Sequence, residues 1–66
     1  MRTHANIIRS VGQTRLARAM GLPMPTVHAW VTRDSIPGEY WKWFADQGLA
    51  SLRELAEAAA AKKQNV

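Results

Sequence analysis

Apolar residues recur at three- and four-residue intervals along most of the chain, in short segments that glycine and proline separate. In the first segment, for example, Ile7, Ile8 and Val11 share one face. This spacing is typical of amphipathic helices. It predicts an all-α fold of five helices over about residues 3–11, 13–20, 24–33, 37–47 and 51–63.

Capping residues support these boundaries. Thr3 can cap the first helix through its hydroxyl oxygen. Gly12 and Gly21 follow the first two helices, where a residue of left-handed conformation commonly ends a helix. Pro25 falls in the first turn of the third helix, where its missing N–H costs nothing.

The aromatic segment of residues 40–44 admits a second interpretation. Its aromatic side chains can form one apolar face of a helix, but aromatic residues also favour strands. Pro37 stands at the expected helix start and Glu39 in the first turn, where a negative charge suits the helix dipole. Because no hairpin partner is evident, the helix is favoured over an edge strand.

The composition indicates one small domain, residues 1–66, without covalent or metal cross-links. The chain has no cysteine and only two histidines, so we expect neither a disulfide nor a structural zinc site. No apolar run approaches the roughly 18 residues of a membrane span. The first residues lack the apolar stretch of a signal peptide. A cytoplasmic protein without a membrane partner is expected.

Charge points to a class of partner. Nine Lys and Arg residues face five Asp and Glu residues, which gives a net charge of +4. A basic balance on so small a chain favours a polyanion, and nucleic acid is the first candidate.

The span of residues 13–32 has the pattern of a DNA-binding helix-turn-helix motif. Two helices that cross steeply and still touch need a small residue in the first helix, and Ala17 supplies it. The tight turn between them needs a residue that accepts positive φ, and Gly21 supplies that. The apolar anchors of the turn and the second helix are Leu22, Val27, Trp30 and Val31.

Residues 12–21, GQTRLARAMG, closely resemble the corresponding stretch of phage Cro repressors. Residues 36–41, IPGEYW, loosely resemble the start of the next helix in that family. Short phage and prophage regulators, including YdaS-type proteins, share this layout. The resemblance implies a five-helix, lambda-repressor/Cro-like domain that binds an operator in double-stranded DNA as a homodimer. It also implies a transcriptional regulator that acts on the nucleoid of a bacterial host.

Candidate phosphate contacts lie on the outward side of both helices. Gln13 and Thr14 begin a helix, where free N–H groups and the helix dipole favour a phosphate, and the resemblance gives them that use. Arg15 and Arg18 add positive charge beside them. The full set of expected phosphate contacts is Gln13, Thr14, Arg15, Arg18, Thr32 and Arg33.

Candidate base contacts lie on the helix over residues 24–33, which is expected to enter the major groove. Many relatives present Gln, Ser, Asn or Lys here, whereas much of this surface is apolar. Apolar groups can contact thymine methyls, and Thr26 and His28 can form hydrogen bonds to base edges. The expected base contacts are Met24, Pro25, Thr26, His28 and Ala29.

The sparse polar set leaves the source of sequence specificity open. Readout of DNA shape is one further source, and contacts from Arg2 and His4 in an N-terminal arm are another. The tryptophans can also stack on single-stranded bases. Helical spacing instead favours core positions for Trp30 and Trp41, and leaves Trp43 as the one tryptophan that is a candidate for a functional role at the surface.

The last helix is a candidate dimer surface. Leu52, Leu55 and Ala59 recur at helical spacing and can fill the monomer core or cover a second copy. A chain this small gains from extra burial, so a homodimer interface at these residues is expected.

Two other functions stay open beside the regulator. One is an antitoxin-like interaction module whose last helix contacts a toxin and whose DNA binding is autoregulatory. The other is a weakly specific nucleoid or RNA-binding protein. Catalysis has little support, because the acidic residues are scattered, the serines lack an adjacent base and no P-loop is present. No enzyme activity, cofactor, metal or small-molecule substrate is expected.

Overall fold

Short helices follow one another along the chain, linked by tight turns. A computed structural model describes residues 2–64, with side chains for residues 2–62. The elements are α1 (His4–Val11), α2 (Gln13–Met20), α3 (Met24–Arg33), a 3₁₀ helix (Gly38–Tyr40), α4 (Trp41–Asp46) and α5 (Leu52–Gln64). Residues 2–64 contain no strand, so the predicted all-α class is confirmed.

The caps form at the predicted helix ends. Thr3 Oγ1 accepts a hydrogen bond from the Asn6 N–H at 3.1 Å and begins α1. Gly21 adopts φ 68° and ψ 31°, and its N–H donates to the carbonyls of Ala17 and Arg18 at the end of α2. The boundaries predicted for the first three helices are therefore confirmed to within one residue.

The fourth segment is helical but divided. A 3₁₀ helix precedes α4, which ends at Asp46. The alternative of an edge strand over residues 40–44 is therefore wrong. The Trp41 indole N–H donates to the carbonyl of Ile36 at 2.8 Å and secures the turn before this segment.

Every helix contributes to one apolar core. α3 packs against both α1 and α2, while α5 packs against α4 and α1. The largest fully buried side chains are those of Trp30, Phe44, Ile7, Ile8, Leu16, Ile36, Leu55 and Val27. α3 therefore has a fixed place against its neighbours, with one face inside and one face outside.

His4 belongs to this core. Its side chain is 3% exposed, and the Ile36 N–H donates to its Nδ1 at 2.8 Å. Because a backbone N–H can only donate, the ring proton lies on Nε2, which donates to the Leu55 carbonyl at 2.8 Å. The ring also meets Trp41 edge-on, with centroids 5.9 Å apart. The alternative that His4 contacts DNA from an N-terminal arm is wrong, because both ring nitrogens are bonded inside the protein.

Arg2 is likewise held against the last helix. Its Nε and Nη2 donate to the Glu54 carboxylate at 3.0 and 2.8 Å, and Nη2 also donates to the Leu49 carbonyl. These hydrogen bonds lower the pKa of the Glu54 carboxyl and raise the pKa of the Arg2 guanidinium. Arg2 thus joins the start of the chain to α5, and a DNA contact from this partly exposed side chain stays a prediction.

The end of α3 is anchored by two other helices. Asp34 stops α3 in a left-handed conformation with φ 54°, and its carboxylate accepts the Ala5 N–H of α1 at 2.8 Å. Lys62 of α5 donates to the carbonyls of Arg33 and Asp34. Since helix carbonyls at this end lack partners within the helix, Lys62 also satisfies part of the end of α3.

Replacing Gly21 with valine should cost about 1–3 kcal/mol of unfolding free energy, because a β-branched residue is strained at positive φ. A Cβ at this position meets no atom within 4 Å, so the cost comes from the backbone alone. Gly38→Val is the matched control, because Gly38 also has open space but no positive φ. Urea unfolding measures both, and equal midpoints for the two variants would contradict the strained turn.

Candidate nucleic-acid interface

α2 and α3 form a pair joined by the turn at residues 21–23. Leu16 and Ala17 are the buried residues of α2, and α3 buries Val27, Trp30 and Val31. The Leu22 N–H donates to the Ala17 carbonyl at 2.9 Å and closes the turn. The remaining faces of both helices lie at the surface, and they carry the residues predicted to contact DNA.

The start of α2 is open to an anion. Its N-cap is Gly12, which has no side chain to bond the first N–H groups of the helix. Thr14 is exposed and Gln13 is half-buried at the first two positions. Free N–H groups and the positive end of the helix dipole both favour a negative ligand here.

Gln13 also bonds to the neighbouring helix. Its Oε1 lies 3.2 Å from Nδ1 of His28. A carboxamide oxygen only accepts, so in this arrangement Nδ1 donates and Nε2 stays available on an exposed ring. The bond connects a predicted phosphate contact with a predicted base contact, and it constrains the orientation of both side chains.

The predicted base-contact residues share the outer side of α3 but differ in exposure. Met24 is 40% exposed. Pro25 and His28 are also exposed, whereas Thr26 and Ala29 are half-buried. All five therefore reach the surface to some degree.

Thr32 is exposed, but its hydroxyl is engaged within its own helix. Oγ1 donates to the His28 carbonyl at 3.1 Å. A phosphate oxygen can only accept, so this hydroxyl would have to leave His28 before it could bond a phosphate. Thr32 is thus a weaker phosphate contact than the sequence pattern indicates.

The arginines of this surface lack acidic partners. Arg15, Arg18 and Arg33 are exposed, and the ion pairs formed by the described side chains involve other residues. Arg9, in the last turn of α1, is also exposed and forms no ion pair with the described side chains, and it is absent from the predicted phosphate contacts. Four guanidinium groups on α1–α3 are therefore exposed, and none of them forms an ion pair with the side chains of residues 2–62.

The signal that identifies Arg9 is the distribution of charge along the chain. Residues 1–33 contain five arginines and no acidic residue, whereas all five acidic residues lie in residues 34–57. In that second half, Lys42 pairs with Asp46 and Arg53 with Glu57. Net positive charge is thus concentrated on α1–α3.

The predicted dimer residues on α5 divide between core and surface. Leu55 is 0% exposed and Leu52 is 51% exposed, while Ala59 is half-buried. Leu55 fills the monomer core, so it is unavailable to a second copy, and its place in the expected interface is corrected. Leu52 and Ala59 remain candidates, and the exposed Ala56 lies one turn from Leu52.

The aromatic side chains support the core rather than a stacking surface. Trp30 is buried and lies 4.9 Å from the ring of Tyr40. Trp43 is half-buried and meets Phe44 edge-on, with centroids 5.3 Å apart. Trp43 therefore packs partly against the core, and a surface role for the exposed remainder of its side chain stays a prediction.

Comparisons with known proteins leave this surface as the main guide to function. No protein-family model matches the chain, and neither a curated protein nor a solved structure matches it. Among the helices of residues 2–64, none has the length and hydrophobicity needed to cross a membrane. The described side chains form no group of three or more His, Asp or Glu residues placed to ligate a metal ion.

Proposed function

We propose that the protein regulates transcription by binding double-stranded DNA through a lambda-repressor/Cro-like helix-turn-helix formed by α2 and α3. The observation that supports this most strongly is the exposed arginine charge on α1–α3, next to an outward helix face that is not needed for the core. DNA is a polyanion whose phosphates such a surface neutralises with release of counterions.

In this proposal α2 contacts the phosphates and α3 contacts the base edges. The open start of α2 receives a phosphate, with Gln13 and Thr14 beside it and Arg15 and Arg18 adding charge. These contacts set the position of the protein on the duplex but do not read sequence. α3 lies in the major groove, where Thr26 and His28 bond base edges and Met24 makes apolar contact.

The protein is proposed to act as a homodimer on a two-fold operator. Dimers of such motifs place their recognition helices about one helical turn of DNA apart. Leu52 supports a dimer surface on α5, because it is one of the two exposed large hydrophobic side chains of the described residues. Occupancy of the operator would block or modulate transcription by steric exclusion.

A weakly specific nucleoid protein is the second candidate. It is favoured by one observation on α3: the Thr32 hydroxyl bonds its own helix, so Thr26 and His28 are the main hydrogen-bonding side chains of the outer face. Binding that relies on phosphates would then dominate, with little discrimination between sequences.

Arg15→Ala and His28→Ala should weaken DNA binding in different ways. Arg15→Ala should weaken binding to all duplexes alike and lower the salt slope by about one, and Arg18→Ala should do the same. His28→Ala should cost about 1–3 kcal/mol on the best site and far less on random DNA. The best site is first selected from a pool of random duplexes, and titrations at several salt concentrations then measure each variant.

Arg53→Ala is the matched control for charge. It removes the same charge from α5, where Arg53 pairs with Glu57, and it should leave binding nearly unchanged. An equal loss in Arg53→Ala and Arg15→Ala would refute a defined phosphate contact. Equal losses of His28→Ala on selected and random DNA would replace the specific regulator with the nucleoid protein.

A further inference from the structure

The first turn of α3 presents an apolar tip, formed by Pro23, Met24 and Pro25. Pro23 and Pro25 are exposed, and Met24 is 40% exposed. Neither proline has an N–H group, and the Thr26 N–H donates to the Pro23 carbonyl at 3.1 Å. This helix start is therefore poor in hydrogen-bond donors, in contrast to the open start of α2.

Such a tip limits what it can recognise. A helix start usually offers several N–H groups to an anion, but here Pro23 and Pro25 have none and the Thr26 N–H is bonded to the Pro23 carbonyl. Binding at the tip is therefore favoured mainly by the burial of its apolar surface against another apolar group. On the major-groove edges of the bases, that group is the C5-methyl of thymine. 5-Methylcytosine carries the same methyl at the same ring position.

The surroundings of the tip indicate that its apolar partner lies on nucleic acid. The preceding helix carries exposed Arg15 and Arg18, for which no ion pair is found among the described side chains. Residues 1–33 contain no acidic residue. Exposed arginines on the helix that precedes the apolar tip complement the phosphates that flank a base methyl.

We propose that the apolar tip recognises the C5-methyl group of a pyrimidine in the major groove, whichever base carries it. This inference rests on the proposed function. Thymine and cytosine differ in the hydrogen-bonding group at C4, but Met24 and the prolines have no strong hydrogen-bonding side chain with which to tell them apart. 5-Methylcytosine should therefore substitute for thymine at the contacted position, and cytosine methylation should strengthen binding there.

The test uses duplexes of the selected site that differ at one base. Each thymine is first replaced by uracil, which removes only the methyl. The methyl at the contacted position should be worth about fourfold in affinity, the value expected for burying one methyl-sized group. At that position, cytosine and 5-methylcytosine are then compared, and the same ratio of about fourfold is expected. Fluorescence anisotropy at fixed salt measures the affinity for the four duplexes that carry thymine, uracil, cytosine or 5-methylcytosine at the contacted position.

Two variants assign the effect to the tip. Met24→Gln has similar length but a polar end, and it should bind thymine and uracil duplexes equally. Met24→Leu keeps an apolar side chain and should preserve the methyl dependence. Because Met24 lies at the surface, both variants should keep the fold, which circular dichroism verifies.

Three results would overturn the inference while the proposed function stands. They are specific binding without methyl dependence, methyl dependence that persists in Met24→Gln, and a thymine effect that 5-methylcytosine does not reproduce. If the unaltered protein binds no duplex better than random DNA, the specific regulator itself is refuted and the inference falls with it.

Discussion

Leu55→Glu is expected to unfold the protein. The Leu55 side chain is fully buried, so a glutamate there would place a carboxylate among apolar side chains without a partner. An isolated buried charge costs several kcal/mol even after relaxation. A core of this size supplies only about 3–5 kcal/mol of net stability. Far-UV circular dichroism and thermal melts measure the loss directly.

Leu52→Glu is the matched control on the same helix. Leu52 is half-exposed, so this variant should remain folded. If α5 forms the proposed dimer surface, sedimentation equilibrium should show a shift toward monomer. A folded Leu55→Glu protein would contradict the core position of that residue, whereas a Leu52→Glu protein that dimerises normally would remove Leu52 from the interface.

His4→Ala should cost about 2–5 kcal/mol of unfolding free energy. The variant leaves the Ile36 N–H and the Leu55 carbonyl without partners inside the core, and each such loss costs about 1–3 kcal/mol. It also removes the edge-on contact with Trp41. Urea unfolding followed by tryptophan fluorescence measures the change.

Asn6→Ala controls for the change to alanine in the same helix. Asn6 is exposed, and its substitution should shift stability by no more than about 0.5 kcal/mol. A His4→Ala protein of normal stability that has lost DNA affinity would reverse the conclusion above and return His4 to the DNA surface.

The helix boundaries could be predicted because their signals are local. Thr3 bonds an N–H three residues away, and Gly21 ends α2 by its own backbone conformation. Each signal acts within one turn of the chain, so neighbouring residues suffice to recognise it.

The roles of His4 and Arg2 could not be predicted in this way. Their partners, Leu55 and Glu54, lie 51 and 52 residues further along the chain. From neighbouring residues alone, a polar residue near the start is indistinguishable from part of a mobile arm. Which of Leu52 and Leu55 is buried could not be predicted for the same reason. Both lie on one apolar stripe of the helix, and only the packing of α5 against the other helices decides which of them enters the core.

The outward residues of the candidate site could be predicted mainly because they are the positions of α2 and α3 that the core does not use. Once the core residues of α2 and α3 are known, the outward residues follow from helical periodicity. The Gln13–His28 bond and the engaged hydroxyl of Thr32 depend on distances that periodicity does not supply. Arg9, by contrast, could be predicted as part of the positive surface from the distribution of charge along the chain alone.

The two hydrogen bonds of His4 have a consequence for synthesis on the ribosome. The chain emerges in order, so α1 leaves the ribosome before its acceptor at Leu55 exists, and the bond closes a loop across 51 residues. Closing so long a loop is an entropically costly, late event. α1 is therefore made before α5 but completes its contacts only after α5 is available, and a nascent chain without α5 should expose the part of the core that Leu55 covers.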